Sequence, residues 1–253
     1  MREFLRSAWS NLFPILTVLL LWELVVRLGW INAFFLPPAS VVLAKFAAMV
    51  GSGELFESFR ITAWRMTFGF AIGASAALVL GLAIGLSRPL LAFFSPLVAA
   101  TYPLPKIALI SIFLVIFGIG DPPIIASVAI STFYPILIST LTGLRSVDPI
   151  LLKAAKDLGA NRYQITVKVV LPGALPVIMS GMKMGTAVAL IVVVAVEMYI
   201  GQTGAGHVLA WATEFFKIDL LYANVIAIGL FGIVLFKLVD IIERLLVPWA
   251  NRD

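Results

Sequence analysis

Two charged side chains stand inside otherwise apolar stretches of the sequence: Lys106 and Glu197. A charge inside a membrane costs about 2.5–3.5 kcal/mol on insertion scales, so such residues usually face a partner or an aqueous path. Lys106 suits contact with an anionic solute, although a lysine that extends its ammonium to the membrane interface fits the pattern equally. Glu197 fits two interpretations: it lines an aqueous path or supports its gate, or it makes a structural hydrogen bond to a neighbouring segment.

The residues needed for other chemistry are scarce. The chain has no cysteine and a single histidine, His207, which excludes a thiol nucleophile, a disulfide and a His-rich metal site within one chain. No Gly-Lys-Ser or Gly-Lys-Thr occurs, so the phosphate-binding loop of an ATPase is missing. We therefore predict no catalytic, cofactor-binding or metal-binding residues. The glycine-rich residues 201–206 are predicted to form a flexible external loop, with His207 exposed beside it.

Composition defines the environment in which these residues must be placed. Of the 253 residues, 62% are hydrophobic and 12% are charged, whereas a soluble domain averages roughly 25% charged. Residues 66–87 and 122–144 contain no Lys, Arg, Asp or Glu. Each of these stretches is long enough for a membrane-crossing helix, which needs about 20 residues. The sequence predicts an all-α polytopic membrane protein rather than a soluble globule.

Hydropathy and helix breakers predict six transmembrane helices in a single domain, residues 1–253. We expect the first span to be uncleaved, with an ion pair between Glu23 and Arg27 one helical turn apart. The next segment is expected to hold one or two short amphipathic helices, starting near Ser40 as an N-cap. The third span is expected to be broken by prolines. The predicted spans cover residues 12–28, 63–86, 91–117, 122–143, 181–200 and 221–247, and a cytoplasmic loop covers residues 144–180.

The distribution of basic residues orients these spans. Six spans place ten Lys and Arg residues on one side and four on the other, which makes the first side cytoplasmic, with both termini there. The ten are Arg2, Arg6, Arg88, Arg145, Lys153, Lys156, Arg162, Lys168, Arg244 and Arg252, and the four are Lys45, Arg60, Arg65 and Lys217. The net charge of +5 is thus a topology signal and gives no reason to expect a nucleic-acid partner.

The cytoplasmic loop contains a predicted amphipathic helix. Asp148 followed by Pro149 is typical of a helix start, and Gly159 is typical of a helix end. Between them an apolar stripe recurs at helical spacing, formed by Leu151, Leu152, Ala155 and Leu158. Such a helix lies flat in the membrane interface or docks with a partner, and the small alanine side chains suit insertion into a groove.

This loop resembles the Glu-Ala-Ala loop of binding-protein-dependent ABC importer permeases, whose pattern is E-A-A-x-x-x-G, nine residues, I-x-L-P. Here it reads Lys153-Ala-Ala-Lys-Asp-Leu-Gly159, then nine residues, then Val169-Val-Leu-Pro172. The glycine, the spacing and the Leu-Pro pair match, whereas lysine replaces the glutamate and valine the isoleucine. Flanking segments such as Phe117-Gly-Ile-Gly120 and Phe133-Tyr-Pro-Ile136 are similar to the nitrate, sulfonate, taurine and bicarbonate importers.

The resemblance implies the type I ABC importer (MetI-like) permease fold and a permease subunit that forms the translocation path for a small solute. It suggests nitrate, a sulfonate, taurine or a similar small organic or anionic substrate. ATP would be bound and hydrolysed by a separate subunit, so the chain itself would be no enzyme. The implied partners are two ABC ATPase subunits, a second permease copy as a homodimer, an extracytoplasmic solute-binding protein and lipid of the bacterial plasma (inner) membrane.

The resemblance also assigns residues to ATPase coupling. In the family the short helix docks in a cleft of the ATPase, and this role transfers to Ala154, Ala155 and Leu158 as the inserted face. Gly159 would be the turn by which the chain leaves the cleft, and Pro172 completes the motif. Lys153 reverses the usual charge, so we expect an acidic or missing counterpart on the ATPase. The alternatives are a self-contained secondary transporter or channel, which needs no ATPase, and a membrane scaffold that transports nothing.

Overall fold

The computed structural model describes the secondary structure of residues 2–249 and the side chains of residues 13–249. Within that part of the chain all regular structure is helical. A 3₁₀ turn precedes α5 and a π turn precedes α9, at Lys106–Leu109 and Thr166–Val170. The α-helices are α1 (Arg2–Arg27), α2 (Ala39–Ser52), α3 (Glu54–Gly85), α4 (Arg88–Thr101), α5 (Ile110–Phe117), α6 (Asp121–Arg145), α7 (Pro149–Asp157), α8 (Arg162–Ile165), α9 (Leu171–Ile200), α10 (Ala205–Glu214) and α11 (Ile218–Leu246).

Helices α2 and α3 fill the segment predicted as a loop between the first two spans. Ser40 is not the N-cap of α2, because the helix already begins at Ala39. The Ser40 hydroxyl and backbone N–H donate instead to the Glu23 carboxylate, at 2.9 and 3.0 Å. Gly53, with φ +80°, ends α2 in the left-handed conformation that glycine adopts freely. No Gly or Pro interrupts residues 54–62, so α3 begins there rather than at residue 63.

The third predicted span, residues 91–117, is divided into two helical pieces. The segment Arg88–Thr101 and the segment Lys106–Phe117 meet at an angle of 88°. Pro103 and Pro105 occupy the break, where the absence of their N–H groups prevents a continuous helix. Lys106 is therefore the first residue after a sharp bend.

Helix α6 covers the fourth predicted span with two extra residues at its C-terminal end. The predicted loop 144–180 is only partly a loop, because the chain is helical from Arg162 to Ile200 without a break. The fifth predicted span thus continues a longer helix. Helix α11 covers the sixth predicted span, residues 221–247, to within a few residues, and α10 stands between α9 and α11 where a loop was expected.

Four helical segments in the described residues are long and apolar enough to cross a membrane: Glu54–Gly85, Asp121–Arg145, Arg162–Ile200 and Ile218–Leu246. The bent pair supplies a fifth if it is one span. Helix α1, with 26 residues, contains the predicted first span except for its last residue and begins ten residues before it. The helices are consistent with the six predicted spans.

The centre of the fold is α6, which packs between α3 and α9. Two glycines of α3 lie directly against α6: a Cβ atom at Gly69 would stand 2.6 Å from the Val128 Cβ atom, and one at Gly81 would stand 2.8 Å from the Thr140 Cγ2 atom. The glycines therefore let the two backbones approach closely. Each of these glycines belongs to a Gly-x-x-x-Gly pair, a spacing typical of closely packed helices.

Candidate functional site

Helix α7 begins and ends at the predicted residues. The Asp148 carboxylate accepts a hydrogen bond of 2.8 Å from the Ile150 N–H, and Pro149 occupies the first turn, where its missing N–H costs nothing. Gly159 has φ +82°, and the Ala160 N–H closes the helix by donating to the Ala155 carbonyl at 3.0 Å. Both ends of this short helix are thus fixed by local interactions.

One face of α7 is apolar and exposed. Ile150 is 72% exposed and Leu158 is 88% exposed, and exposed Ala154 lies between them at four-residue spacing. Leu152 and Ala155 are half-buried and belong to the opposite side. Of the three residues assigned to insertion, Ala154 and Leu158 therefore share a free face, whereas Ala155 does not. Ile150 belongs to that face and was not selected from the sequence.

Pro172 lies in the first turn of the long helix α9. The Leu171 N–H donates to the Thr166 carbonyl, five residues back, and the preceding five residues form a π turn. A wider turn of this kind accommodates a residue that cannot donate its own N–H. Helix α7 packs against this π turn, so the elements that carry the two halves of the Glu-Ala-Ala motif are neighbours. Lys153 is exposed and, among the described side chains, forms no ion pair within the chain.

Lys106 lies at the mouth of a cavity of about 470 Å³, which we call the bend cavity; it lies between the α4–α5 bend, α6 and α9. The ammonium nitrogen is 5.0 Å from the Tyr102 ring centroid and 4.5 Å from that of Tyr134, both cation–π distances. It also donates to the Tyr102 carbonyl oxygen. Ser131, one turn before Pro135 on α6, lines the same cavity.

Glu197 is fully buried and is bonded to Arg65 of α3. The Arg65 Nη1 atom lies 2.8 Å from the Glu197 Oε1 atom, and the exposed fractions of the two side chains are 5% and 0%. Arg65 also contacts Asp121 at 2.7 Å and donates to the Thr203 carbonyl and hydroxyl oxygens at 2.7 and 2.9 Å. We call this group of residues, with Thr62, the Arg65 network.

The second carboxylate oxygen of Glu197 is also satisfied. The Thr62 hydroxyl donates to it at 2.8 Å and the Gly206 N–H at 3.0 Å. Thr62 in turn accepts from the Ala205 N–H at 2.8 Å. These contacts are the structural hydrogen bonds that the sequence left open for Glu197. With no exposed surface on its side chain, Glu197 offers no oxygen atom to a solute in this conformation.

Residues 201–206 are folded around the Glu197 side chain rather than forming a free loop. A Cβ atom at Gly204 would stand 2.5 Å from the Glu197 Cδ atom, and one at Gly206 would stand 2.6 Å from its Cβ atom. The glycines thus allow the backbone to close over the carboxylate. His207 is also not an exposed loop residue: it lies in α10, half-buried, with its Nδ1 atom 3.0 Å from the Gly201 carbonyl oxygen.

The partner of Glu197 was missed in the sequence, although a signal was present. The predicted topology places Arg65 and Glu197 near the outer ends of their spans, so opposite charges lie at the same membrane depth. A second group of ion pairs joins Lys183 of α9 to Asp240 and Glu243 of α11 at 2.7 and 2.5 Å. Charges inside the predicted spans thus join helices that are distant in sequence.

A bundle of apolar helices that carries a capped, exposed amphipathic helix is the architecture of a helical membrane protein. Comparison with known proteins identifies its kind. Residues 69–252 match the family described as the binding-protein-dependent transport system inner membrane component. The chain belongs to this family of ABC transporter permeases, located as multi-pass proteins in the inner membrane.

Individual relatives match nearly the whole chain. A Bacillus subtilis permease protein whose name assigns it provisionally to aliphatic sulfonates is 29% identical over 97% of this chain and 90% of its own length. The taurine transport system permease protein of Escherichia coli is 29% identical over 98% of this chain and 92% of its own length. A solved methionine ABC transporter in an inward-facing conformation shares the fold, with a TM-score of 0.60 at 22% identity over 76% of this chain and 94% of the other.

Proposed function

We propose that the chain is the permease subunit of an ATP-driven importer of a small organic anion, working as a homodimer with two ATPase subunits and a solute-binding protein. The observation that carries this proposal is the exposed apolar face of α7, at Ile150, Ala154 and Leu158. A capped helix that leaves leucine 88% exposed presents an apolar surface that is favourable to bury against a partner. The permeases for taurine and aliphatic sulfonates among its relatives support the anionic solute.

ATP hydrolysis belongs in this proposal to the partner subunits. The chain supplies no phosphate-binding loop, and α7 is the element through which ATPase movement reaches the membrane helices. The Lys153 side chain, exposed beside this face, would meet an acidic group on the ATPase where the family pattern has the opposite charge. Exchanging Lys153 for Glu tests this pairing: we expect weaker ATPase assembly, restored when the facing residue of the ATPase is made basic. Unchanged assembly would overturn it.

The orientation of the chain is part of the proposal, with both termini and α7 in the cytoplasm. Because the chain has no cysteine, single cysteines report accessibility without background. We expect an impermeant thiol reagent to label Lys156→Cys only in inside-out vesicles and Gln202→Cys only in right-side-out vesicles. The reverse pattern at both positions would overturn the orientation.

Transport itself is tested by reconstitution. The permease, its ATPase subunits and its solute-binding protein are placed in proteoliposomes, and uptake of an organosulfonate is followed with and without ATP. We expect uptake only when all components and ATP are present. Solute movement by the permease alone, without an ATPase, would overturn the proposal in favour of a secondary transporter or channel.

A further inference from the structure

We propose that the bend cavity is a binding site for a small organic anion with an apolar, uncharged body, and that it disfavours a zwitterion such as an amino sulfonate. The inference rests on the proposed transport function and adds to it a site and a substrate class. Within the described part of the chain, its three components are an ammonium group without an anionic partner, a buried hydroxyl without a hydrogen-bond partner, and an apolar wall without a carboxylate.

The first component is the positive charge of Lys106. Two aromatic rings and the Tyr102 carbonyl oxygen surround its ammonium, but none of these groups is an anion. Among residues 13–249, the ion pairs that form within the chain do not include Lys106. An ammonium has three N–H donors, so donors are left over for an incoming oxyanion.

The second component is the Ser131 hydroxyl on α6. The residue is 6% exposed, and its Oγ atom has no hydrogen-bond partner among the residues that the structure describes. The neighbouring hydroxyls of the same helix behave differently: Ser127, Thr132 and Thr140 each donate to the carbonyl oxygen four residues earlier, at 2.7, 3.0 and 2.7 Å. A buried polar atom without a partner is rare and requires an explanation. Because Ser131 lines the bend cavity together with Lys106, a ligand oxygen supplies that partner.

The third component is the remainder of the wall. It is formed mainly by Ile107 of the bend and by Met184, Val188 and Val192 of α9, and no Asp or Glu among residues 13–249 lines the cavity. Such a wall favours a methylene chain. It gives no compensation to an ammonium group, which is costly to bury unpaired. The volume of about 470 Å³ is within the range of small-molecule sites. An alkanesulfonate or alkanecarboxylate therefore fits the site, and its terminally aminated analogue does not.

The test measures binding to the purified permease–ATPase complex in nanodiscs of phosphatidylcholine, without the solute-binding protein. Dissociation constants for butanesulfonate, terminally aminated butanesulfonate and butanol are obtained from the concentration dependence of thermal stabilisation. We expect butanesulfonate to bind at least about tenfold more tightly than either analogue. We expect Lys106→Gln and Ser131→Ala each to weaken it by about tenfold, the usual size of a hydrogen bond to a charged group.

Matched controls separate the site from general effects. Lys217→Gln removes an exposed lysine that does not line the bend cavity, and Ser127→Ala removes a buried α6 hydroxyl one turn away that already has a partner. Both are expected to bind butanesulfonate like the unaltered chain. Equal binding of the sulfonate and its aminated analogue, or equal loss in the Ser127→Ala and Ser131→Ala variants, would overturn the inference.

A lipid headgroup is a second source of the same anion chemistry. If phosphatidylglycerol in the nanodisc stabilises the complex in a Lys106-dependent manner while butanesulfonate does not, the cavity is a lipid site and the inference is overturned. ATP-driven uptake in proteoliposomes is measured in parallel. If the Lys106→Gln and Ser131→Ala variants both keep normal uptake and normal sulfonate binding, the cavity is not the binding site, but the proposed transport function stands. If the unaltered complex shows no ATP-dependent uptake, the proposed function itself is refuted.

Discussion

Replacing Glu197 by Gln should be among the single changes that destabilise this chain most. The substitution places an NH₂ donor opposite other hydrogen-bond donors of the Arg65 network. The carboxylate accepts from Arg65, Thr62 and Gly206. The NH₂ group of a glutamine must take one of the two oxygen positions, and at either position it faces a donor. Arg65 is only 4% exposed, so its charge loses a buried partner that water cannot replace.

The magnitude follows from burial. Breaking a fully buried ion pair by removing one charge costs about 3–5 kcal/mol, whereas an exposed pair contributes about 0–1 kcal/mol. Asp121→Asn is the matched control, because it alters a carboxylate on the same arginine whose side chain is 48% exposed. We expect Glu197→Gln to lower the free energy of unfolding by about 3 kcal/mol or more and Asp121→Asn by about 1 kcal/mol or less.

The assay is unfolding of the purified protein in mixed micelles with increasing dodecyl sulfate, together with proteolysis at residues 201–206. Loss of the network should open that segment to protease before the helices unfold, since the Glu197 carboxylate holds the Gly206 N–H. A double variant, Arg65→Met with Glu197→Leu, should recover much of the loss because it buries no unpaired charge. The reasoning fails if the Glu197→Gln and Asp121→Asn variants are equally stable. It also fails if the double variant is less stable than both of these single variants.

Three further changes separate local roles. Gly204→Ala places a Cβ atom 2.5 Å from the Glu197 Cδ atom at φ +105°, whereas Gly53→Ala has a similar φ of +80° with no atom within 4 Å. Thermal melting should show that Gly53→Ala lowers the free energy of unfolding by about 1 kcal/mol and that Gly204→Ala lowers it much more. Leu158→Ser, at an 88% exposed position, should leave the melting temperature unchanged and reduce ATPase co-purification; normal co-purification would contradict its docking role. Ser131→Ala should be neutral or stabilising without ligand, because it removes an unpartnered buried hydroxyl, whereas Ser127→Ala should cost about 1 kcal/mol; equal melting temperatures would contradict the assignment.

Interactions within one or two helical turns could be predicted from the sequence. The Glu23–Arg27 pair follows from four-residue spacing, and the structure places the two charged groups 2.6 Å apart. Asp148 and Gly159 likewise delimit α7 because capping depends on residues a few positions apart. These signals are local, so no knowledge of the tertiary arrangement is needed to interpret them.

Contacts between distant segments could not be predicted in the same way. Considered alone, the glycine-rich residues 201–206 indicate a flexible loop. Only the tertiary structure shows that side chains at Gly204 and Gly206 would collide with Glu197. Ser131 is one of several hydroxyls on α6, and the sequence does not show which of them lacks a backbone acceptor. The exposed face of α7 depends on how the helix rests against the π turn, which decides that Ile150 rather than Ala155 faces outward.

The continuous helical chain through α8 and α9 links α7, the bend cavity and the Arg65 network. The helical chain from Arg162 to Ile200 has 39 residues and is about 58 Å long at 1.5 Å per residue. One end contacts α7 through the π turn, the middle lines the bend cavity at Met184, Val188 and Val192, and the other end is fixed by Glu197 to Arg65. In the proposed coupling, displacement of α7 by the ATPase tilts a rod that is held at its far end, so the lateral movement is largest at the α7 end, smaller at the bend cavity and smallest at Glu197. This geometry requires the Arg65 network as a pivot: Glu197→Gln should lower the solute imported per ATP more than Asp121→Asn does, even at temperatures where both variants are folded.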